Sequence, residues 1–260
     1  MLLALDIGNT NITFGIFNTN ENSLDNSPKA TWRVATDPNR LSDEYLIMLR
    51  SLLELKGLST VDVKSVAICS VVPPLTPVFT NLFSSYLKID PMVMGAGIKT
   101  GIKILYDNPR DVGADRIADA AAALHLYGGP SVIVDFGTAT VFDAISAQSE
   151  YVGGAIAPGL IIGAEALFQS TSQLRKVELE RPASAIGKNT VHALQSGLVL
   201  GYADLVKGMV ARFDLELGGG SKTIATGGLA NLIEQETDIF DAVNPDLTLI
   251  GLNIIHHMNS

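Results

Sequence analysis

The sequence predicts an α/β fold in which one unit of strands and helices is used twice, with ligands held in a cleft between the copies. Three observations lead there. The hexapeptide DIGNTN at 6–11 returns as DFGTAT at 135–140, each entered from one apolar run and left into another. The elements around each copy follow one order: three strands, a helix, a strand, a helix. The 260-residue length, with 47% hydrophobic and 17% charged residues, suffices for two modest domains with a core each. The cut is expected at 112/113, giving an N-terminal domain over 1–112 with the first motif and a C-terminal domain over 113–260 with the second.

In the first copy, Leu2–Leu5 is a short buried strand ending on Asp6, and Ile12, Phe14 and Ile16 mark the strand returning from the turn. The polar stretch from Asn18 to Ala30 reads as a connection to a third strand at Thr31–Ala35. Leu41, Tyr45, Leu49, Leu52 and Leu53 recur at helical spacing, with Ser42 or Asp43 to cap the start. Val66–Val72 is a strand stopped by Pro73 and Pro74, and a second helix follows over Leu75–Leu87. In the second copy the three strands are Ser131–Val134, Val141–Ile145 and Tyr151–Ala157. Thr190–Phe213 is a long apolar helix, and Thr223–Thr226 is a strand meeting Gly227 and Gly228 before a helix near Leu229–Gln235.

Composition narrows the function. A net charge of −9 and a pI near 4.8, without a run of Lys and Arg, argue against nucleic acid as a partner. The single cysteine, Cys69, rules out a disulfide framework and a multi-cysteine zinc site, and fits a reducing compartment. The N-terminus lacks a signal-peptide pattern and the apolar stretches are interrupted by Asp, Gly or Pro, so a cytoplasmic, membrane-free protein is expected. Familiar motifs miss on spacing. The only Gly-Lys pair, Gly187-Lys188, lacks the rest of a P-loop, and Gly95, Gly97 and Gly101 do not form a dinucleotide fingerprint. The four histidines have no metal-ligand spacing and read as structural.

The two turns suit phosphate. Gly8 and Gly137 can take positive φ and carry no Cβ, so backbone N–H groups can close on a polyphosphate. Asn9, Thr10, Asn11, Thr138 and Thr140 add short donors. Asp6 and Asp135 would repel phosphate unless a cation lay between, which points to ATP with a metal. Asp-Gly and Asn-Thr are also ordinary hairpin chemistry, and repetition in matching order is what favours a ligand.

The segment YDNPRDVGADRIADAAAALHLYGG at 106–129 is the densest in chemistry. Pro109 and Gly113 bend the chain before an Ala-rich helix that Gly128 ends, which puts Asp115 and Arg116 in its first turn. A carboxylate there stays ionised in the helix dipole and can accept a proton from an alcohol. Arg116 can hold an anionic acceptor or steady transferred charge, and Asp115 equally suits a plain first-turn helix carboxylate paired with Arg116 or Arg110. IATGGLA at 224–230 suits the approach of an adenosine or a tight strand–helix turn, and Thr190 a substrate contact or a cap. Ile117–Leu126 is a candidate dimer contact or a packed core helix. These residues support a kinase acting on a small alcohol that they do not name. An ATP or polyphosphate hydrolase and a non-catalytic nucleotide-binding regulator are the rival readings, the second disfavoured by acidic residues standing at 6, 115 and 135.

DIGNTNIT (6–13), GADR (113–116), DFGTAT (135–140), GGAIAPGL (153–160), GKNT (187–190) and ATGGLA (225–230) together resemble type III pantothenate kinase, in order and nearly end to end. DxGNT and DFGTAT belong to the wider superfamily of acetate kinase, sugar kinases, heat-shock chaperone ATPases and actin; GADR after Tyr-Asp-Asn-Pro is more specific. The resemblance implies two actin-like (ribonuclease H-like) domains and ATP-dependent phosphorylation of pantothenate, the first step of coenzyme A synthesis. It implies that Asp6, Ile7, Gly8, Asn9, Thr10, Asn11, Ile12, Thr13 and Thr138 bind ATP, and that Asp115 is the proton acceptor. Tyr106, Gly113, Ala114, Asp115, Arg116 and Thr190 would line the pantothenate site, and Asp135 would ligate a monovalent cation, K⁺ or NH₄⁺, with Mg²⁺ accompanying ATP. A homodimer is implied too.

Overall fold

A computed structural model describes residues 1–18, 27–170 and 177–260. The elements in order are β1 (Leu2–Ile7), β2 (Asn11–Phe17), β3 (Ala30–Ala35), α1 (Ser42–Glu54), β4 (Ser65–Ser70), α2 (Leu75–Leu82), β5 (Met92–Val93) and β6 (Lys103–Ile104). There follow α3 (Ala114–Tyr127), β7 (Ser131–Phe136), β8 (Ala139–Ile145), β9 (Glu150–Pro158), α4 (Leu160–Gln169), α5 (Thr190–Gln195) and α6 (Gly201–Glu216). The chain closes with β10 (Lys222–Thr226), α7 (Ala230–Glu234), β11 (Ala242–Val243) and α8 (Leu247–Met258). Most of the connection expected between Asn18 and Ala30 lies outside the described residues.

The chain forms two compact units, and both are discontinuous in sequence. The first takes 1–102, 108–122 and 246–260; the second takes 103–107 and 123–245. A single cut at 112/113 does not reproduce this partition, because α8 packs against β1, β2 and β4 and so returns to the first unit.

The first unit is built on a five-stranded sheet in the order β3-β2-β1-β4-β5. β1 pairs antiparallel with β2 and parallel with β4, setting Asp6 opposite Thr13 on one side and Cys69 on the other. Leu3, Leu5 and Ile7 belong to a core cluster with Tyr45, Leu49, Leu53 and Phe79 from α1 and α2. The alternate residues, Leu2, Ala4 and Asp6, point to the other face, which α8 covers. Burial of both faces explains why β1 reads as an unbroken apolar run. The cap expected from Ser42 or Asp43 is made otherwise: Leu41 N–H donates to Glu44 at 2.8 Å, and Ser42 donates to the Val78 carbonyl at 3.2 Å.

The second unit repeats the order in a six-stranded sheet, β11-β10-β7-β8-β9-β6, with the short edge strand β6 added. β7 pairs antiparallel with β8 and parallel with β10, as β1 does with β2 and β4. Val132, Val134 and Phe136 form a core with Phe142, Leu160, Val206, Val210 and Ile233. The long helix expected from Thr190 is interrupted: a π-helical turn over Ser196–Leu200 joins α5 to α6. Ala118 and Ala120–Ala123 of α3 are all buried, as the packed-core reading of that helix expects, while Leu126 at its end is 36% exposed. No helix among the described residues is long and apolar enough to cross a membrane.

Candidate functional site

β1 delivers Asp6 half-buried to the end of the first sheet, and the turn at 8–10 follows. Gly8 N–H donates to Asn11 O at 3.0 Å, closing the turn. Thr36, just past β3, pins it from the side: its N–H reaches Thr10 O at 3.0 Å and its Oγ1 donates to Gly8 O at 2.6 Å. Asn9, Thr10 and Asn11 are exposed and Thr13 is half-buried, while Ile7 and Ile12 are buried as strand residues. The polar members of the expected ATP set are therefore displayed, and the apolar members hold the hairpin to the core.

Asp115 enters from α3. Asn108 caps the preceding 3-10 turn, Pro109–Asp111, by accepting Arg110 N–H at 3.3 Å. Asp115 Oδ1 accepts Arg116 N–H at 2.8 Å, so the carboxylate sits over the open N-terminal turn of the helix. Burial first, and then the charges of Asp6, Asp115 and Asp119, push the Cys69 thiol well above its ordinary range. Asp6 lies beside Cys69 across the β1–β4 pair, and the charges of Asp6, Asp115 and Asp119 all bear on that thiol. Asp119 went unremarked in the sequence, although its spacing four residues after Asp115 puts it one turn further along the same helix face.

The second turn is built differently. Asp135 lies opposite Val141 and beside Thr226 of β10, and only Gly137 and Thr138 separate the strands. Neither Gly8 nor Gly137 takes a positive φ, contrary to expectation; a conventional turn with close neighbours suffices at both. The left-handed residue is Gly227, at φ +88°, where a Cβ would strike the Asp135 carboxylate and lie 2.7 Å from Phe136 N. Gly159 closes on the same turn: a Cβ there would overlap the Thr138 carbonyl and come within 2.8 Å of Gly137 O. The strand–Gly-Gly motif and the AIAPGL segment therefore converge on Asp135 and Thr138. Thr140, expected as a further donor, is 1% exposed with its hydroxyl in the core, because its strand position faces inward with Phe142.

The expected pantothenate residues divide between the units. Gly113, Ala114, Asp115 and Arg116 belong to the first, and Tyr106 and Thr190 to the second. Tyr106 is half-buried against Tyr151, whose hydroxyl donates to the buried Asp143 at 2.6 Å. Thr190 is exposed at the first position of α5, and Asn189 performs the capping by accepting His192 N–H at 2.9 Å. Among the described residues no three His, Cys, Asp or Glu side chains converge to hold a metal ion.

A twice-used sheet with one polar hairpin at the same central position in each copy has solved counterparts. The inorganic polyphosphate/ATP-glucomannokinase from Arthrobacter sp. strain KM aligns at a TM-score of 0.50 and 14% identity, over 100% of this chain and 99% of that one. The activator of 2-hydroxyisocaproyl-CoA dehydratase from Clostridium difficile, with bound ADPNP, aligns at 0.55 and 14%, over 99% and 95%. The fold is the duplicated actin-like, ribonuclease H-like fold of ATPases and sugar kinases. Residues 2–212 match the family model of type III pantothenate kinase. A type III pantothenate kinase of Roseiflexus sp. (strain RS-1) is 49% identical over 259 residues, which is 100% of this chain and 99% of that one. The chain belongs to the type III pantothenate kinase family.

Proposed function

We propose that this chain transfers the γ-phosphoryl group of ATP to the 4′-hydroxyl of pantothenate, the first step of coenzyme A synthesis. Family membership is the observation that carries this reading, and Asp6 at the end of β1 and Asp115 in the first turn of α3 supply its chemistry. The turn from Asp6 to Thr13, with Thr138, holds the nucleotide. Asp115 takes the proton of the 4′-hydroxyl as its oxygen bonds to the γ-phosphorus, the bond to the β,γ-bridging oxygen breaks, and ADP leaves. Arg116 pairs with the pantothenate carboxylate, and Tyr106, Gly113, Ala114 and Thr190 line the acceptor.

Use of ATP implies a divalent ion such as Mg²⁺, which we assign to the phosphates of the nucleotide. Asp135 is our assignment for the monovalent site. Its carboxylate lies over Gly137 and against Gly227, in space that a Cβ at 227 would fill. A large monovalent ion there, K⁺ or NH₄⁺, would supply positive charge beside the phosphates.

The proposed homodimer is assigned to the second unit, where Ile156, Ile161, Ile162 and Phe168 of β9 and α4 are 66%, 50%, 43% and 46% exposed. Ile156→Asp should convert a dimer to a monomer in sedimentation velocity, and an unchanged mass would remove this face as the contact.

The deciding assay mixes protein, ATP, Mg²⁺ and K⁺ with pantothenate. Formation of 4′-phosphopantothenate with matching ADP release is expected. Equal ATP turnover with and without pantothenate would establish a hydrolase instead.

A further inference from the structure

We propose that Thr248 and Gly251 of α8 are positioning residues for Asp115, holding α3 at the depth and rotation the base requires. The inference rests on the reading of Asp115 as the proton acceptor.

Asp115 is the second residue of α3, in a turn whose own N–H groups lack helical partners, so the placement of its carboxylate depends on what grips the helix just behind it. That grip comes from α8. Thr248 Oγ1 donates to Asp119 Oδ1 at 2.7 Å, and Asp119 is only 3% exposed. A hydroxyl bond to a carboxylate this buried is short, directional and stronger than one made at the surface. One turn further along α8, Gly251 meets Ala118 backbone to backbone. A Cβ at 251 would overlap the Ala118 carbonyl oxygen and lie 2.5 Å from its carbon. Ala118 and Asp119 stand three and four residues after Asp115, on the turn directly beneath it.

The other side of α8 is fixed to the strands that present Asp6. Leu249 fills the space above Gly15 of β2, where a Cβ would come within 2.9 Å of it, and Leu249, Ile250 and Leu252 are buried. α8 packs on β1 and β4 as well. One rigid element therefore touches both the sheet carrying the nucleotide motif and the helix carrying the base. Displacement of a reacting group by about 1 Å can cost on the order of 10²-fold in rate, which gives such a grip leverage on turnover.

The test compares wild type with Thr248→Val, Thr248→Ser and Gly251→Ala, reading kcat, both KM values and Tm. Thr248→Val keeps the side-chain shape and removes the hydroxyl. It should lower kcat about 10-fold or more while the KM for ATP stays within about twofold. Thr248→Ser restores the donor and should recover most of kcat. Gly251→Ala, which must push α3 aside, should lower kcat with the same split. A Thr248→Val enzyme with wild-type kcat would overturn the inference. So would a loss shared by kcat, ATP affinity and Tm that Thr248→Ser fails to rescue, since that marks a merely structural bond. Wild type that makes no 4′-phosphopantothenate would instead bring down the underlying kinase reading, and this inference with it.

Discussion

The two hairpins occupy the same place in their sheets and are closed by different means. The turn after Asp6 has three residues, is tied locally by Asn11 and Thr36, and displays Asn9, Thr10 and Asn11 to solvent. The turn after Asp135 has two residues and is crowded by Gly159 and Gly227, which arrive from separate elements and leave no room for a side chain. Equivalent topology thus does not mean equivalent work. A turn that displays short polar side chains at the surface is suited to wrapping phosphates, while a carboxylate wedged among glycines is suited to one small ion.

The largest test of that division is at the unrepeated carboxylate. If both turns serve only to bind and Asp115 performs the proton transfer, Asp115→Asn should cut kcat by about 10²-fold or more with ATP affinity nearly unchanged. Near wild-type turnover would leave positioning as the account of Asp115. The next test compares the glycines. Gly227→Ala places a side chain at φ +88° and against Phe136, so it should cost roughly 1–3 kcal/mol in urea unfolding and raise the K⁺ concentration needed for half activity. Gly8→Ala meets only Asn11 O, at 3.1 Å with ordinary φ, and should cost less than about 1 kcal/mol. Equal costs would erase the contrast between the turns.

The smallest expected effect is on stability at alkaline pH. Cys69 has its folded-state pKa raised, by burial and by the three carboxylates, so the neutral thiol is the form compatible with folding. That contribution is fully present below the unfolded thiol pKa of about 8.5 and is lost as pH rises toward the folded value. Cys69→Ala should therefore show a shallower fall in urea midpoint between about pH 8 and pH 10 than wild type. Parallel slopes would mean that the thiol contributes nothing to that fall.

Much of this was legible in the chain. The alternation at Ile12, Phe14 and Ile16 and the helical spacing from Leu41 to Leu53 became β2 and α1 with small shifts of boundary. Pro109, Gly113 and Gly128 bracketed α3 correctly, with Gly128 at φ +79° after its last turn. α8 was not legible. Its residues Leu249–Ile255 are buried all round, so no polar stripe marks a helical period. Gly159 carried no local signal either, because the reason for a glycine there is the Thr138 backbone, which sequence spacing does not reveal.

What the sequence determined by itself was the repeat, the succession of strands and helices around it and the residue types at each turn, since periodicity and turn chemistry are local properties of a chain. Tertiary structure decided which distant segments meet: α8 with α3, Gly159 and Gly227 with the second turn, and Asp6 with Cys69. Those meetings depend on close packing between elements far apart in the chain, and close packing is a property of the folded whole.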